Sequence, residues 1–290
     1  MKKKVISVIA GAAGLVVAYF IVSGISNIIY HRPAQTTPTE SETQTAEQGT
    51  EEAKAAMTED EINAMLSDMK STETTETEAV SGETAAIPVK FGELQSVNPD
   101  VYAWITVPGT EIDYPILQHP SDNSYYLMHN IDGSYGYPGC VYTENLNSKD
   151  FTDNNTVIYG HNMKNGSMFA QLHKFEDPDF FNENREVLIY LPDEVLHYTV
   201  FAAHIYDDRH LLYSFDFTDP EVYQKYLDSI FSIRDMNANI DKDITVTTDD
   251  QIITLVTCIG SQPNNRLLVQ AVLTGREPGA ETAQTAAVIE

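Results

Sequence analysis

The chain of 290 residues carries 43 acidic against 17 basic side chains, a formal net charge of −26. So negative a chain argues against a role built on nucleic-acid backbone, and its length admits one ordinary domain with accessory segments or two small domains. Two cysteines, Cys140 and Cys258, are too few for a disulfide scaffold, and the lack of a Cys-x-x-Cys pair removes the usual zinc and dithiol patterns.

Residues 1–4 place Lys2, Lys3 and Lys4 ahead of an uncharged stretch over 5–30, with His31 and Arg32 beyond it. As a helix that stretch would be about 39 Å long, enough to cross a hydrocarbon core about 30 Å thick with some tilt. A cleaved signal peptide has an apolar stretch of only about 7–15 residues, so a retained membrane anchor is favoured. Lysines before the span predict a cytoplasmic N-terminus and an exported C-terminal bulk.

Residues 31–86 are rich in Thr, Glu, Ala, Ser and Gln, and over 33–86 thirteen acids face only Lys54 and Lys70. Such a segment cannot bury enough apolar surface to offset ordering entropy, which predicts an acidic, mostly disordered stalk extended by its own charge. One island departs from this. Thr58 and Glu61 have capping-box spacing, and Ile62, Met65, Leu66 and Met69 recur at helical period. The pattern predicts a short amphipathic helix, marginal unless it docks.

From 87 to 275 the texture changes to β-branched and aromatic runs broken by Gly, Pro, Asn and Asp. Strands are predicted at 101–106, 111–116, 139–143, 156–159, 186–191, 196–205, 252–257 and 267–274, which suits a mainly β domain, closed barrel or sandwich. A helix over 91–97 stops before Asn98-Pro99. A longer one runs over 219–234, capped by Thr218 or Asp219, with Tyr223, Tyr226, Leu227, Ile230 and Phe231 as its buried face. Residues 276–290 read as a flexible C-terminal tail.

Cys258 ends the buried-type strand at 252–257, a turn-rich loop follows, and Arg266 opens the next strand. A cysteine at a strand terminus is held by the sheet yet open to a groove, as a nucleophile requires; free cysteines are also commonly buried hydrophobes. A hairpin would return Arg266 beside Cys258, where a guanidinium favours the thiolate and stabilises negative charge on a carbonyl oxygen. His161 likewise follows an apolar strand. His204 and His210 flank Asp207 and Asp208, but the loop between them is ordinary polar turn material and no metal is assigned. His31, His119, His129, His173 and His197 have no catalytic partner visible in the sequence, and periodicity alone does not choose His161 over them.

Thr254-Leu255-Val256-Thr257-Cys258 resembles the Thr-Leu-x-Thr-Cys signature of sortases, with the family's arginine matched by Arg266. Tyr159-Gly160-His161-Asn162-Met163 and the following Asn165-Gly166-Ser167-Met168-Phe169 resemble the histidine segment of class B sortases. The runs from Asn98 to Ile105 and from Gly109 to Ile116, and the helix from Asp219, are similar to the same class. The resemblance covers roughly 88–274. It implies a closed eight-stranded β-barrel, with an N-terminal helix and a longer helix before the cysteine strand, and a cysteine transpeptidase of the Gram-positive cell surface.

On that resemblance, Cys258 attacks the carbonyl after the threonine of a sorting signal and forms a thioester. His161 protonates the departing amine, Arg266 holds the substrate and the oxyanion, and Thr257 is assigned to substrate binding. Its partners would be surface proteins bearing sorting signals and an amino group of a cell-wall precursor. No cofactor or metal is required. The acceptor stays open, since a pilin lysine or water would use the same acylation step. With unperturbed values near 8.5 for a thiol and 6.5 for an imidazole, the thiolate–imidazolium pair makes up on the order of one percent of molecules at neutral pH. In this chain Ile259-Gly260-Ser261 follows the cysteine, where some class B members place an acid.

Overall fold

The structure, a computed structural model, describes residues 57–70 and 84–281. The expected anchor over 5–30, much of the stalk and the end of the tail lie outside the described residues. Among the described residues no helix is long and apolar enough to cross a membrane.

The elements in order are α1 (Glu59–Asp68), β1 (Ala85–Ile87), α2 (Phe91–Val97), β2 (Val101–Thr106), β3 (Asp113–Leu117), β4 (Val141–Thr143), β5 (Asn155–Tyr159), α3 (Pro178–Glu183), β6 (Glu186–Tyr190), β7 (Glu194–Asp207), α4 (Leu211–Ser214), α5 (Pro220–Phe231), β8 (Asn239–Ile240), β9 (Ile252–Ile259) and β10 (Gln262–Glu281). Two 3-10 segments, Tyr125–Leu127 and Phe169–Glu176, lie in the connections. Neighbouring strands run β10-β9-β5-β4-β3-β2-β6-β7, and β7 pairs back onto β10. This closes an eight-stranded barrel and removes the exposed edges of an open sheet. β1 and β8 add outside the ring, on β10 and β7. Most pairs are antiparallel, but β3/β4, β5/β9 and β1/β10 are parallel.

Alternation along each strand divides the core in two. Ile253 and Leu255 of β9 face the barrel interior, whereas Ile252 and Val256 face outward against Tyr223, Tyr226, Leu227 and Ile230 of α5. Those four are the predicted face of that helix, and Phe231 is only partly buried beside them. Asp219 caps α5 by accepting from the Glu221 amide, and Pro220 occupies its first turn. On the opposite wall, Trp104 of β2 turns outward beneath the N-terminal segment, packed with Ile62 and Leu66.

The stalk island forms α1 with a reciprocal capping box: the Thr58 amide donates to Glu61 Oε2 at 2.8 Å, and the Glu61 amide to Thr58 Oγ1 at 3.3 Å. The helix is docked. Ile62 and Leu66 are buried, Lys70 pairs with Asp113 at 2.5 Å, and Glu59 accepts from Asn165 and Ser167 at 3.0 Å. The folded boundaries also extend past the predicted ones, because β1 pairs in parallel with β10, Ala85 opposite Gly279 and Ile87 opposite Glu281. Arg276-Glu277-Pro278-Gly279, with its Pro and Gly, reads in sequence as tail; here it is strand.

Candidate active site

Side-chain alternation sets the orientation of every residue at the end of β9. Ile253, Leu255 and Ile259 point inward; Cys258, one residue out of step, lies on the outer face and is exposed. The hairpin places Arg266 directly opposite Cys258 in the antiparallel register. The Arg266 guanidinium is half-buried and held by the chain that precedes it, donating from Nη1 to the carbonyls of Pro263 and Asn265 at 2.9 Å. Two loop carbonyls thus orient the group, and its charge lies on the groove that Cys258 also lines.

The parallel neighbour β5 supplies the histidine. Tyr159 is level with Val256 in the ladder, and the Gly160 amide donates to the Val256 carbonyl at 3.1 Å. Thr257 Oγ1 donates to the Gly160 carbonyl at 2.9 Å, and Thr257 is 1% exposed. Thr257 borders the same groove as Cys258, with its side chain in the buried phase of the strand and its hydroxyl tying β9 to β5. From Gly160 the chain leaves the sheet and His161 turns into the groove. His161 Nε2 donates to the Leu127 carbonyl at 2.7 Å, and the ring meets Tyr137 edge-on at 5.2 Å between centroids. With Nε2–H occupied, Nδ1 is the nitrogen left to exchange a proton with substrate.

Gly160 permits this turn by having no side chain. A Cβ there would stand 2.5 Å from the Phe169 ring. Gly160→Ala is expected to destabilise the protein by about 1–3 kcal/mol through overpacking, lowering the midpoint of denaturant unfolding, and to displace His161 as well.

Cys258, His161 and Arg266 line one groove of about 430 Å³, whose far wall is the segment after β7. Glu144, which follows β4, also lines the groove and is 7% exposed. His210 Nε2 donates to Glu144 Oε1 at 2.7 Å, and the Tyr213 amide points to His210 Nδ1 at 3.3 Å. Glu144 Oε2 and the Tyr159 and Tyr206 hydroxyls are buried with no hydrogen-bond partner among the described residues. Of the aromatic residues from the end of β7 onward, Tyr206 lines the groove, Tyr213 is 71% exposed, and Phe217 is buried against α5. His204 is buried and bonded to Gln270 at 3.1 Å; burial holds its imidazole below the usual range, which favours the neutral ring. His204 and His210 therefore have separate partners, Gln270 and Glu144.

The two thiols differ in the property that governs reactivity. Cys140 is buried, and burial pushes its thiol well up from the usual range, while Cys258 is exposed at the groove. Iodoacetamide at pH 8 is expected to add a single carbamidomethyl group to the folded protein, on Cys258, as read by intact mass and peptide mapping. Modification of Cys140 at a comparable rate would contradict the burial described here.

Sequence patterns brought Cys258, His161 and Arg266 forward, and the fold brings them together. They did not bring forward Leu127, Tyr137, Glu144, Asn162 or His173, whose contacts to the site cross long loops and carry no local period.

The sortase domain family matches residues 105–274. Sortase B of Listeria monocytogenes is 37% identical over 168 residues, a match covering 57% of this chain and 65% of that protein, just under two thirds of its length. Sortase B of Staphylococcus aureus is 26% identical over 184 residues, covering 63% of this chain and 73% of that protein. Among solved structures, Clostridium perfringens sortase B superposes with a TM-score of 0.58 at 33% identity, covering 64% of this chain and 100% of that one. Sortase B from Bacillus anthracis gives 0.60 at 31%, covering 73% and 93%.

Proposed function

The chain belongs to the sortase family, with class B sortases as its relatives, and from that premise we propose a cysteine transpeptidase that joins a sorting-signal polypeptide to an amine. Cys258 attacks the carbonyl carbon after the signal's threonine, and Arg266 stabilises the oxyanion of the tetrahedral intermediate. His161 gives its Nδ1 proton to the departing amine. The C–N bond breaks and the acyl chain remains on sulfur as a thioester. An incoming amino group, on a cell-wall precursor, attacks that thioester, loses a proton and releases the thiol, forming a new amide.

The observation that carries this proposal is the convergence of the three side chains on a single groove, each set there by a strand end. In the same proposal residues 5–30 anchor the protein in the cell membrane and the catalytic domain works on the extracytoplasmic side, as the lysines ahead of the apolar stretch suggest.

The test incubates the full-length protein with threonine-containing sorting peptides, with and without a small amine, and follows Cys258 by intact mass. A thioester that the amine converts to an amide product supports transpeptidation. A thioester that yields only acid, however much amine is added, would make the protein a cysteine protease, and preference for a lysine-bearing pilin segment would make it a polymerase. If Cys258 forms no adduct with any peptide, the proposed activity is wrong.

A further inference from the structure

The parallel ladder between β5 and β9 ends one residue too early to satisfy the nucleophile's own backbone. Carbonyls of β9 point toward β5 at every second residue. Val256 receives the Gly160 amide at 3.1 Å, and Cys258 is the next carbonyl on that side. By then the partner chain has left the sheet: the His161 carbonyl accepts instead from the Phe169 amide at 2.9 Å. Side chains complete the ladder. Asn162 Nδ2 donates to the Cys258 carbonyl at 2.8 Å, and His173 Nε2 stands 3.2 Å from the same oxygen. Asn162 Nδ2 and His173 Nε2 are 3.0 Å apart.

Glu176 organises this node. Its Oε2 is 2.8 Å from His173 Nδ1, so Nδ1 carries a hydrogen in both the neutral and the charged ring. In neutral His173, Nε2 is a bare acceptor for one Asn162 hydrogen while the other goes to Cys258. In the imidazolium, Nε2–H donates to Cys258 itself. Either way the Cys258 carbonyl keeps a donor. Asn162 is the residue after His161, and the carbonyl belongs to the nucleophile, so the node ties the proton donor's loop to the nucleophile's strand.

We propose that His173, oriented by Glu176, is a positioning residue which with Asn162 clamps the Cys258 carbonyl and fixes the spacing between Cys258 and His161. This rests on the function proposed above. Neither His173 nor Glu176 touches the reacting atoms. Their contribution is to hold a strand end that has run out of backbone partners, at a place where a misplacement of about 1 Å costs up to about 100-fold in rate.

The experiment uses the full-length protein with Cys labelled by ¹³C at the carbonyl, and compares His173→Ala, His173→Gln and Glu176→Gln. Expected for His173→Ala is an upfield shift of the Cys258 carbonyl resonance and a fall in kcat of roughly tenfold, with KM changed less than twofold. His173→Gln, whose amide reaches the position of Nε2, restores both. In Glu176→Gln the ¹⁵N imidazole spectrum of His173 loses its preference for the Nδ1–H tautomer. Unchanged kcat and an unmoved carbonyl resonance in His173→Ala would overturn the proposal, as would a His173→Gln that restores the resonance but not kcat. Should His173→Ala fail to fold, His173→Gln and Glu176→Gln decide by the same two readouts. If wild type turns over no peptide, the proposed function falls, and the clamp is judged by the carbonyl resonance and the rate of Cys258 alkylation; no change in either overturns it.

Discussion

Cys258→Ala is expected to leave no acyl adduct on the protein and to lower peptide turnover at least about 10⁴-fold, the scale on which loss of a covalent nucleophile is felt. The fold should not notice. Cys258 is exposed at the end of β9, and the strand's inward phase belongs to Leu255, Thr257 and Ile259, so the change in unfolding free energy should stay within about 0.5 kcal/mol. Cys140 offers no substitute, because it is buried just ahead of β4 and is not among the residues lining the groove, with Sγ 3.4 Å from the His129 carbonyl. The measurement is single-turnover acylation read by intact mass, alongside denaturant unfolding. Residual turnover above about one percent of wild type would require a second nucleophile and would defeat the covalent mechanism.

Local chemistry made the barrel legible. β2 and α2 have the predicted bounds, 101–106 and 91–97, because β-branched and aromatic runs there end at Gly, Pro and Asn signals. The capping box at Thr58 was equally plain. Where the reading fell short, the deciding partner was distant in sequence. β10 runs 20 residues to Glu281 despite Pro263 and Pro278, since its length is set by pairing with β7 and β1 rather than by its own composition. The phase of Thr257 could be settled only by knowing which face of β9 the barrel encloses.

The site divides in the same way. Cys258 and Arg266 were joined by a hairpin, which spacing alone can suggest. His161 joins them through parallel pairing of strands almost a hundred residues apart, which no periodicity encodes; the family resemblance chose it. Glu144, facing His210 across 66 residues, and His173, facing Cys258 across 85, had no sequence signal at all. Each is a polar side chain whose partner is supplied by tertiary structure, the class of contact that a single sequence shows least well.

His161→Ala should lower acylation by about 10²–10⁴-fold, the range for loss of a positioned general acid, and the size of the loss should depend on what departs. An amine expelled from a tetrahedral intermediate needs a proton, and in this groove Nδ1 of His161 is the nitrogen left to give one, since Nε2–H is spent on the Leu127 carbonyl. A thioester analogue of the same peptide expels a thiolate, which leaves without protonation. The penalty on that analogue should therefore shrink to about tenfold or less, while the amide penalty stays large. Iodoacetamide must still modify Cys258 in the variant, which separates loss of the acid from loss of the nucleophile. Single-turnover rates on the paired amide and thioester substrates make the comparison. Equal penalties on both would mean that His161 acts before bond cleavage, on the thiol or on binding, and that the proton reaching the amine has another source.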